Sequence, residues 1–162
     1  MRSNKPAPGA TSGRHELVEE LNRLMAEETE ASLRYFHMRF RLRDHDYAAA
    51  QAFFEEAIKE TMDHATTIAE QIRSLGHVPT LRVKLALGGG SIRLSDALAE
   101  ALDLEQQALE AYQDLLPRVA GDPLLEPFIR RQVEIETEHV EEIRAFIRTQ
   151  SLVKLVRHEE VT

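Results

Sequence analysis

Apolar residues recur every three or four positions through four long stretches of this 162-residue chain, and none alternates with the period of two that a half-buried strand requires. That periodicity commits the chain to amphipathic helices. In the first stretch Leu17, Leu21, Leu24, Met25, Ala31, Tyr35 and Leu42 mark one face of a helix reaching about Arg43, and Asp44-His45-Asp46 forms a short turn of cap-forming residues. The second stretch carries Phe54, Ala57, His64, Ile68, Ile72 and Leu75 and stops at Gly76, with Pro79 just beyond. Ser95-Asp96 is expected to cap the third, whose inner face holds Leu98, Ala101, Glu105, Ala108, Tyr112 and Leu115. Gly121-Asp122-Pro123 breaks the chain and restarts it, with Asp122 as N-cap and Pro123 at the first helical position. Leu125, Ile129, Gln132, Glu136, His139, Ile143 and Phe146 then continue the pattern.

Four helices of roughly 25–30 residues, each about 40 Å long, fold as an all-α antiparallel four-helix bundle when the links within each hairpin are short. The long link between second and third helices, Thr80 to Ile92, is a crossover that lets both hairpins lie in one orientation. Its Gly88-Gly89-Gly90 invites a phosphate-loop reading, but no Gly-Lys-Ser/Thr follows and no strand precedes it. Residues 1–13, rich in Pro, Gly, Ser and Ala, read as a disordered arm; 14–150 form the bundle; 151–162 form a tail or a short fifth helix.

The absence of cysteine excludes disulfides, thiolate metal sites and thiol nucleophiles, so any metal must be held by carboxylate and imidazole. With 28 Asp and Glu against 20 Lys and Arg, the net charge of -8 has the wrong sign for a nucleic-acid partner. No stretch approaches the ~20 apolar residues needed to span a bilayer, and the first residues lack the apolar middle of a secretory signal. The expectation is a soluble cytoplasmic protein with no membrane partner.

Polar residues inside apolar stripes carry the functional information, because burying an unpaired carboxylate costs several kcal/mol. Glu28 lies one turn from Leu24 and Ala31, on the stripe of Tyr35; Glu105 lies between Ala101 and Ala108, on the stripe of Tyr112. His64 sits between Ala57 and Ile68, and Glu136 and His139 share the inward face of the fourth helix. The pattern is repeated: Glu28 precedes Tyr35 by seven residues and His64 by thirty-six, while Glu105 precedes Tyr112 by seven and His139 by thirty-four. Two hairpins thus bring equivalent Glu and His groups to one centre. Carboxylates with one imidazole per ion suit iron or manganese, and bridging carboxylates let two cations sit close together. A lone inward histidine is usually a satisfied core residue, and a lone glutamate often reaches solvent; it is the repetition of the five that points to a metal. His15, His37, His45, His77 and His158 lie on charged faces, in links or in the tail and receive no role.

At these residues the chain resembles the bacterioferritins of the ferritin-like superfamily. The likeness is close in LNRLMAEETEASLRYF, EEAIKETMDHA and LGHVPTL, looser from Ser95 to Ile147, and absent from the arm. It implies a ferritin-like bundle that oxidises Fe(II) with dioxygen or hydrogen peroxide at a di-iron ferroxidase centre and stores Fe(III) mineral inside a cage of twenty-four subunits. Carried over, Glu28 and Glu105 correspond to terminal iron ligands, Glu136 to a bridging carboxylate, and His64 and His139 to the imidazole ligands. Met62 corresponds to the methionine that ligates haem b across a two-fold subunit interface; Ile58, Met62, Ala65 and Ala69 form a second apolar stripe, and plain interface packing is the other reading of Met62.

One position departs from the family. The second bridging glutamate should stand three residues before His64, where this chain has Thr61. A neutral threonine removes one charge and one bridge, which points to a weakened or single-metal site. Glu60, rotated by about 100°, is an awkward substitute; Glu56 and Glu60 alternatively resemble acidic positions that receive iron on the cage's inner surface, or form a solvated face. Two other readings follow: a ferroxidase-impaired cage subunit working beside an active paralogue, and another ferritin-like enzyme such as a manganese catalase or a rubrerythrin-like peroxidase, the latter without the cysteines of a rubredoxin-type iron site.

Overall fold

The computed structural model describes residues 8–159, apart from the side chains of residues 8–12, 44, 45, 49 and 152–159. Four helices dominate: α1 Pro8–Arg41, α2 Asp44–Ser74, α3 Leu94–Leu115 and α4 Leu125–Glu159, with a four-residue 3-10 turn, Leu116–Val119, after α3. No strand occurs among the described residues. α1 packs along α2 and α3 along α4, giving the two expected hairpins.

The ends differ from the sequence expectation in instructive ways. α1 starts at Pro8 rather than near Gly13, since proline is accepted in a first helical turn; the rest of the expected arm, residues 1–7, lies outside the described residues. Residues 151–159 continue α4 instead of forming a separate fifth helix, because no glycine or proline interrupts them. Residues 160–162 lie outside the description. Ser95 and Asp96 fall inside the first turn of α3, where Arg93 is the N-cap residue and makes no side-chain cap bond. The Leu94 N–H is instead satisfied by Asp46 Oδ2 at 3.2 Å, reached from the start of α2. Asp122 does cap the last helix, accepting from the N–H groups of Leu124 and Leu125 at 2.9 and 3.0 Å.

α2 ends in a Schellman motif. Gly76 adopts φ +82, its N–H donates to Arg73 O at 3.0 Å, and the His77 N–H donates to Ile72 O at 3.1 Å. The crossover then climbs α1. It is pinned low by the Thr80 N–H donating to Asn22 Oδ1 at 2.7 Å, and high by the Ile92 N–H donating to Arg41 O at 2.8 Å. The nineteen residues from Asn22 to Arg41 span about 29 Å of helix, a distance the twelve-residue step from Thr80 to Ile92 covers at about 2.4 Å per residue, more stretched than a helix and short of full extension. The Arg41 guanidinium clamps the top of this segment by donating to Gly90 O at 2.8 Å.

The core is divided. One apolar cluster gathers Leu21, Leu24, Ile68, Ile72, Leu125 and Ile129 around Tyr112; the other gathers Met38, Phe54, Ala97, Leu98 and Ile143 around Tyr35. Each large side chain fully buried there contributes about 1.5–3 kcal/mol. Between the clusters, at mid-height on every helix, lies a buried polar layer of Glu28, Thr61, His64, Glu105 and Glu136. A bundle that only had to fold would have continued its apolar stripes through this layer.

Candidate metal centre

Each helix delivers its polar residue by the same device, one inward position of a 3.6-residue stripe occupied by a ligating side chain. Glu136, 1% exposed, sits at the middle. Its Oε1 lies 3.0 Å from His64 Nδ1 and its Oε2 lies 3.6 Å from His139 Nδ1. Glu28 Oε2 is 3.6 Å from His64 Nδ1, and Glu105 Oε2 is 3.4 Å from His139 Nδ1. The two imidazoles are stacked, with centroids 5.5 Å apart and planes 10° from parallel. All five residues singled out in the sequence therefore meet at one point.

Two tyrosines fix the outer carboxylates, and they do so crosswise between hairpins. The Tyr112 hydroxyl of α3 donates to Glu28 Oε1 of α1 at 2.7 Å, while the Tyr35 hydroxyl of α1 donates to Glu105 Oε1 of α3. Burial, reinforced by the carboxylate each faces, holds both phenols well above their ordinary pKa, so they remain proton donors.

The electrostatics follow from three buried carboxylates facing two imidazoles. Burial raises the pKa of Glu28 and carries that of Glu105 up to about 7. Burial opposes the charge on Glu136 as well, but contacts with His139 and His64 outweigh it and bring the carboxyl down to about 2. The imidazoles likewise hold protons against the effect of burial: Glu136 and Glu28 lift His64 to about 10, and Glu105 and Glu136 lift His139 to about 11. Even so, His64 Nδ1 and Glu136 Oε1 approach without hydrogen-bond geometry, and both remain buried without a hydrogen-bond partner. Orphaned donor atoms of this kind, one nitrogen and one carboxylate oxygen, are what a divalent cation satisfies.

The departure at Thr61 is structural as well as chemical. Thr61 is 3% exposed and turns its hydroxyl back onto its own helix, donating to Ala57 O at 2.7 Å. It offers the centre no anion. Glu60 lies on the half-exposed side and reaches the far edge of His139, with Oε2 3.6 Å from Nε2. That contact, overlooked in the sequence because it runs across the bundle from α2 to α4, orients the ring from the edge opposite its Nδ1. Glu56 is exposed, and Glu56, Glu60, Thr61, Glu105, His139 and Glu142 line a cleft of about 90 Å3 between α2 and α4. A larger cleft, about 340 Å3, reaches Glu28 between α1 and α3, where Ala31, Ala108 and Ala111 leave room.

Met62 stands apart from this centre. It is 41% exposed on the outer surface, whereas Ala65 belongs to an apolar core cluster and Ala69 packs against that cluster. The second apolar stripe expected through Ile58, Met62, Ala65 and Ala69 therefore does not exist as one outward face. α1 does leave Leu33, Phe36 and Phe40 exposed.

A crossover four-helix bundle with carboxylates and imidazoles buried at its waist is the ferritin-like architecture, and the ferritin-like domain family matches residues 18–153: the chain belongs to that family. Among curated relatives it is 30% identical over 130 residues to the bacterioferritin of Desulfovibrio desulfuricans, covering 76% of this chain and 70% of that protein. The solved structure of a D. desulfuricans bacterioferritin, described for its diiron site in different catalytic states, superposes with a TM-score of 0.75 at 25% identity, covering 85% of this chain and 81% of that one. A ferritin-like diiron-carboxylate protein from Bacillus anthracis superposes with a TM-score of 0.73 at 25% identity, covering 83% and 97%. Among the described residues no helix is long and apolar enough to cross a membrane.

Proposed function

We propose that the protein is an iron-storage ferroxidase of the bacterioferritin type. Fe(II) is its substrate, taken up by Glu28, His64, Glu105, Glu136 and His139, and dioxygen or hydrogen peroxide receives the electrons. Each ferrous ion gives one electron, so reducing one peroxide to two water molecules takes two ions and two protons. The observation that carries this reading is the buried Glu136 with its orphaned oxygen, set between two imidazoles and flanked by two tyrosine-held carboxylates.

The chain's own groups have separable parts in the reaction. Imidazole nitrogens and carboxylate oxygens bind the cation, Tyr112 and Tyr35 hold Glu28 and Glu105 in place, and the apolar clusters above and below exclude water. The imidazoles, lifted to about 10 and 11 by their carboxylate partners, release protons when iron binds, and burial, which raises Glu105 to about 7, makes its carboxyl a partial contributor. Because Thr61 removes one bridging carboxylate, one of the two iron positions found in the relatives' type of site is held weakly here, and oxidation is slow beside a complete centre. Ferric product passes to the interior of a cytoplasmic homo-oligomeric cage, for which twenty-four subunits is the family expectation. The exposed Leu33, Phe36, Phe40 and Met62 supply apolar surface for subunit contact, and haem b would be bound only if two copies of Met62 meet there.

The test is aerobic oxidation of Fe(II) by the purified protein, followed optically, with iron retention measured on the assembled oligomer. Wild type should oxidise iron and keep it in the large species; Glu136→Gln should do neither. Equal rates in both proteins would remove Glu136, and with it this reading of the site.

A further inference from the structure

We propose that Gln132, one helical turn before Glu136 on α4, is a positioning residue of the centre: its buried amide N–H backs the Tyr112 hydroxyl and through it holds Glu28 in place. The inference rests on the iron-binding reading above and adds to it a residue that touches no ion. Leu125, Ile129 and Gln132 occupy successive inward positions of α4, and the first two join the apolar cluster around Tyr112. Gln132 is 4% exposed, and its Nε2 is buried without a hydrogen-bond partner. Leaving an amide unpartnered beside an apolar cluster is costly, and a leucine would have continued the stripe without that cost.

The acceptor that this amide faces is the Tyr112 hydroxyl. Burial and the Glu28 carboxylate push that phenol up, and the Gln132 amide pulls against them, the effect of a donor turned to the phenolic oxygen. The oxygen has the capacity, since a hydroxyl that gives its proton away keeps its lone pairs, and Tyr112 donates to Glu28 Oε1 at 2.7 Å. Amide, phenol and carboxylate form a series of donor, donor and acceptor that joins α4 to α3 to α1, and polarisation makes each joint strengthen the next. The other tyrosine is served differently: beside Glu105, the second polar neighbour of the Tyr35 hydroxyl is Ala101 O at 3.4 Å, an acceptor that competes for the proton. Orphaned atoms follow the same division. Among the described residues, His64 Nδ1, Glu136 Oε1 and Gln132 Nε2 are buried without a partner at or beside the half of the centre that holds Glu28, and no such atom belongs to Glu105 or His139.

The experiment titrates the full chain, stripped of metal, with Mn(II) and needs no turnover. Gln132→Met keeps the shape of the side chain and removes the amide. It should bind Mn(II) about 3- to 10-fold more weakly, the scale of one neutral hydrogen bond, while its metal-free form melts no lower than wild type because an unpartnered polar group has left the core. Tyr112→Phe should bind about 10- to 100-fold more weakly. In the Tyr112→Phe background Gln132→Met should cost nothing further, whereas in the Tyr35→Phe background it should cost its full factor. Wild-type affinity in Gln132→Met would overturn the proposal. So would an equal loss with and without the Tyr112 hydroxyl, which would mean that the amide acts directly on the bound ion or its water. In both cases the iron-binding reading stands, since wild type still binds. Absence of tight Mn(II) binding in wild type would overturn both. If Gln132→Met melts lower than wild type, the comparison between the two tyrosine backgrounds decides the matter.

Discussion

Replacing Thr61 by glutamate would place a carboxylate three residues before His64, the spacing Glu136 has to His139. Two unit charges about 4 Å apart at an effective dielectric of about 20 interact by roughly 4 kcal/mol, and two divalent ions at that separation repel several-fold more strongly. The three carboxylates present leave that repulsion incompletely offset; a fourth would bring a pair of ferrous ions to neutrality. Most of the gross attraction is consumed by dehydrating the partners, so the net gain is on the scale of a buried charge finding its partner, about 3–5 kcal/mol. This corresponds to roughly 10²- to 5 × 10³-fold in the affinity of a second ion. The cleft of about 90 Å3 beside Thr61 has room for the larger side chain. In the metal-free variant the new carboxylate is buried in a position 3% exposed, which should cost about 1–2 kcal/mol and lower Tm by roughly 2–8 °C. Metal should then raise Tm further than it does in wild type. Anaerobic titration with Mn(II) or Co(II), together with stopped-flow oxidation of Fe(II), reads both consequences: a second tight ion and a faster rate. If wild type already binds two ions tightly and Thr61→Glu improves neither affinity nor rate, the charge argument is wrong; Glu60→Gln would then show whether the Glu60 carboxylate supplies the missing ligand.

If the chain assembles as proposed, assembly should be independent of the centre, because Glu136 and its partners lie inside the bundle: Glu136→Gln combined with His139→Ala should elute at the size of wild type while losing iron oxidation, and a smaller species would show that metal organises the interface. Protein expressed with ample haem tests Met62: any haem spectrum should change in Met62→Leu, and one that persists unaltered excludes the sulfur as ligand. Because His64 and His139 hold protons up to about 10 and 11 without metal, cation affinity should rise with pH from about 6 to 9, with proton release into weakly buffered solution; pH-independent affinity would contradict it. The same raised values stabilise the metal-free fold fully below the ordinary imidazole value of 6.5 and are lost as pH rises through 10 to 11, so alkali should lower its Tm more than that of the metal-loaded protein. Gly76→Ala, at φ +82 and with no neighbour to clash, should cost about 1 kcal/mol in thermal unfolding through backbone strain alone.

How much of this was legible beforehand depended on whether the signal was periodic. Glu28, His64, Glu105, Glu136 and His139 declared themselves because each interrupts an apolar stripe, and the stripe fixes which way a helical side chain points. Helix ends were less legible. Asp122 caps the helix that follows it, a local relationship, whereas α3 is capped by Asp46 from forty-eight residues away, which spacing along one helix cannot encode. Tyr35 and Tyr112 were visible as stripe members, yet their donation across to the other hairpin's glutamate is set by how the hairpins pack. The contact between Glu60 and His139 was hidden for the same reason.

Thr61 shows the division most clearly. The sequence places a neutral residue where a bridging carboxylate is expected, but does not say where its hydroxyl goes. Packing returns the hydroxyl to Ala57 O, so α2 contributes an imidazole with no carboxylate three residues before it, while α4 contributes both. The two halves of the centre share one bridging carboxylate, Glu136, and both imidazoles are turned toward it. Any ion entering must therefore engage the residue on which both halves depend, and this makes Glu136, rather than either histidine, the side chain whose loss should empty the site completely.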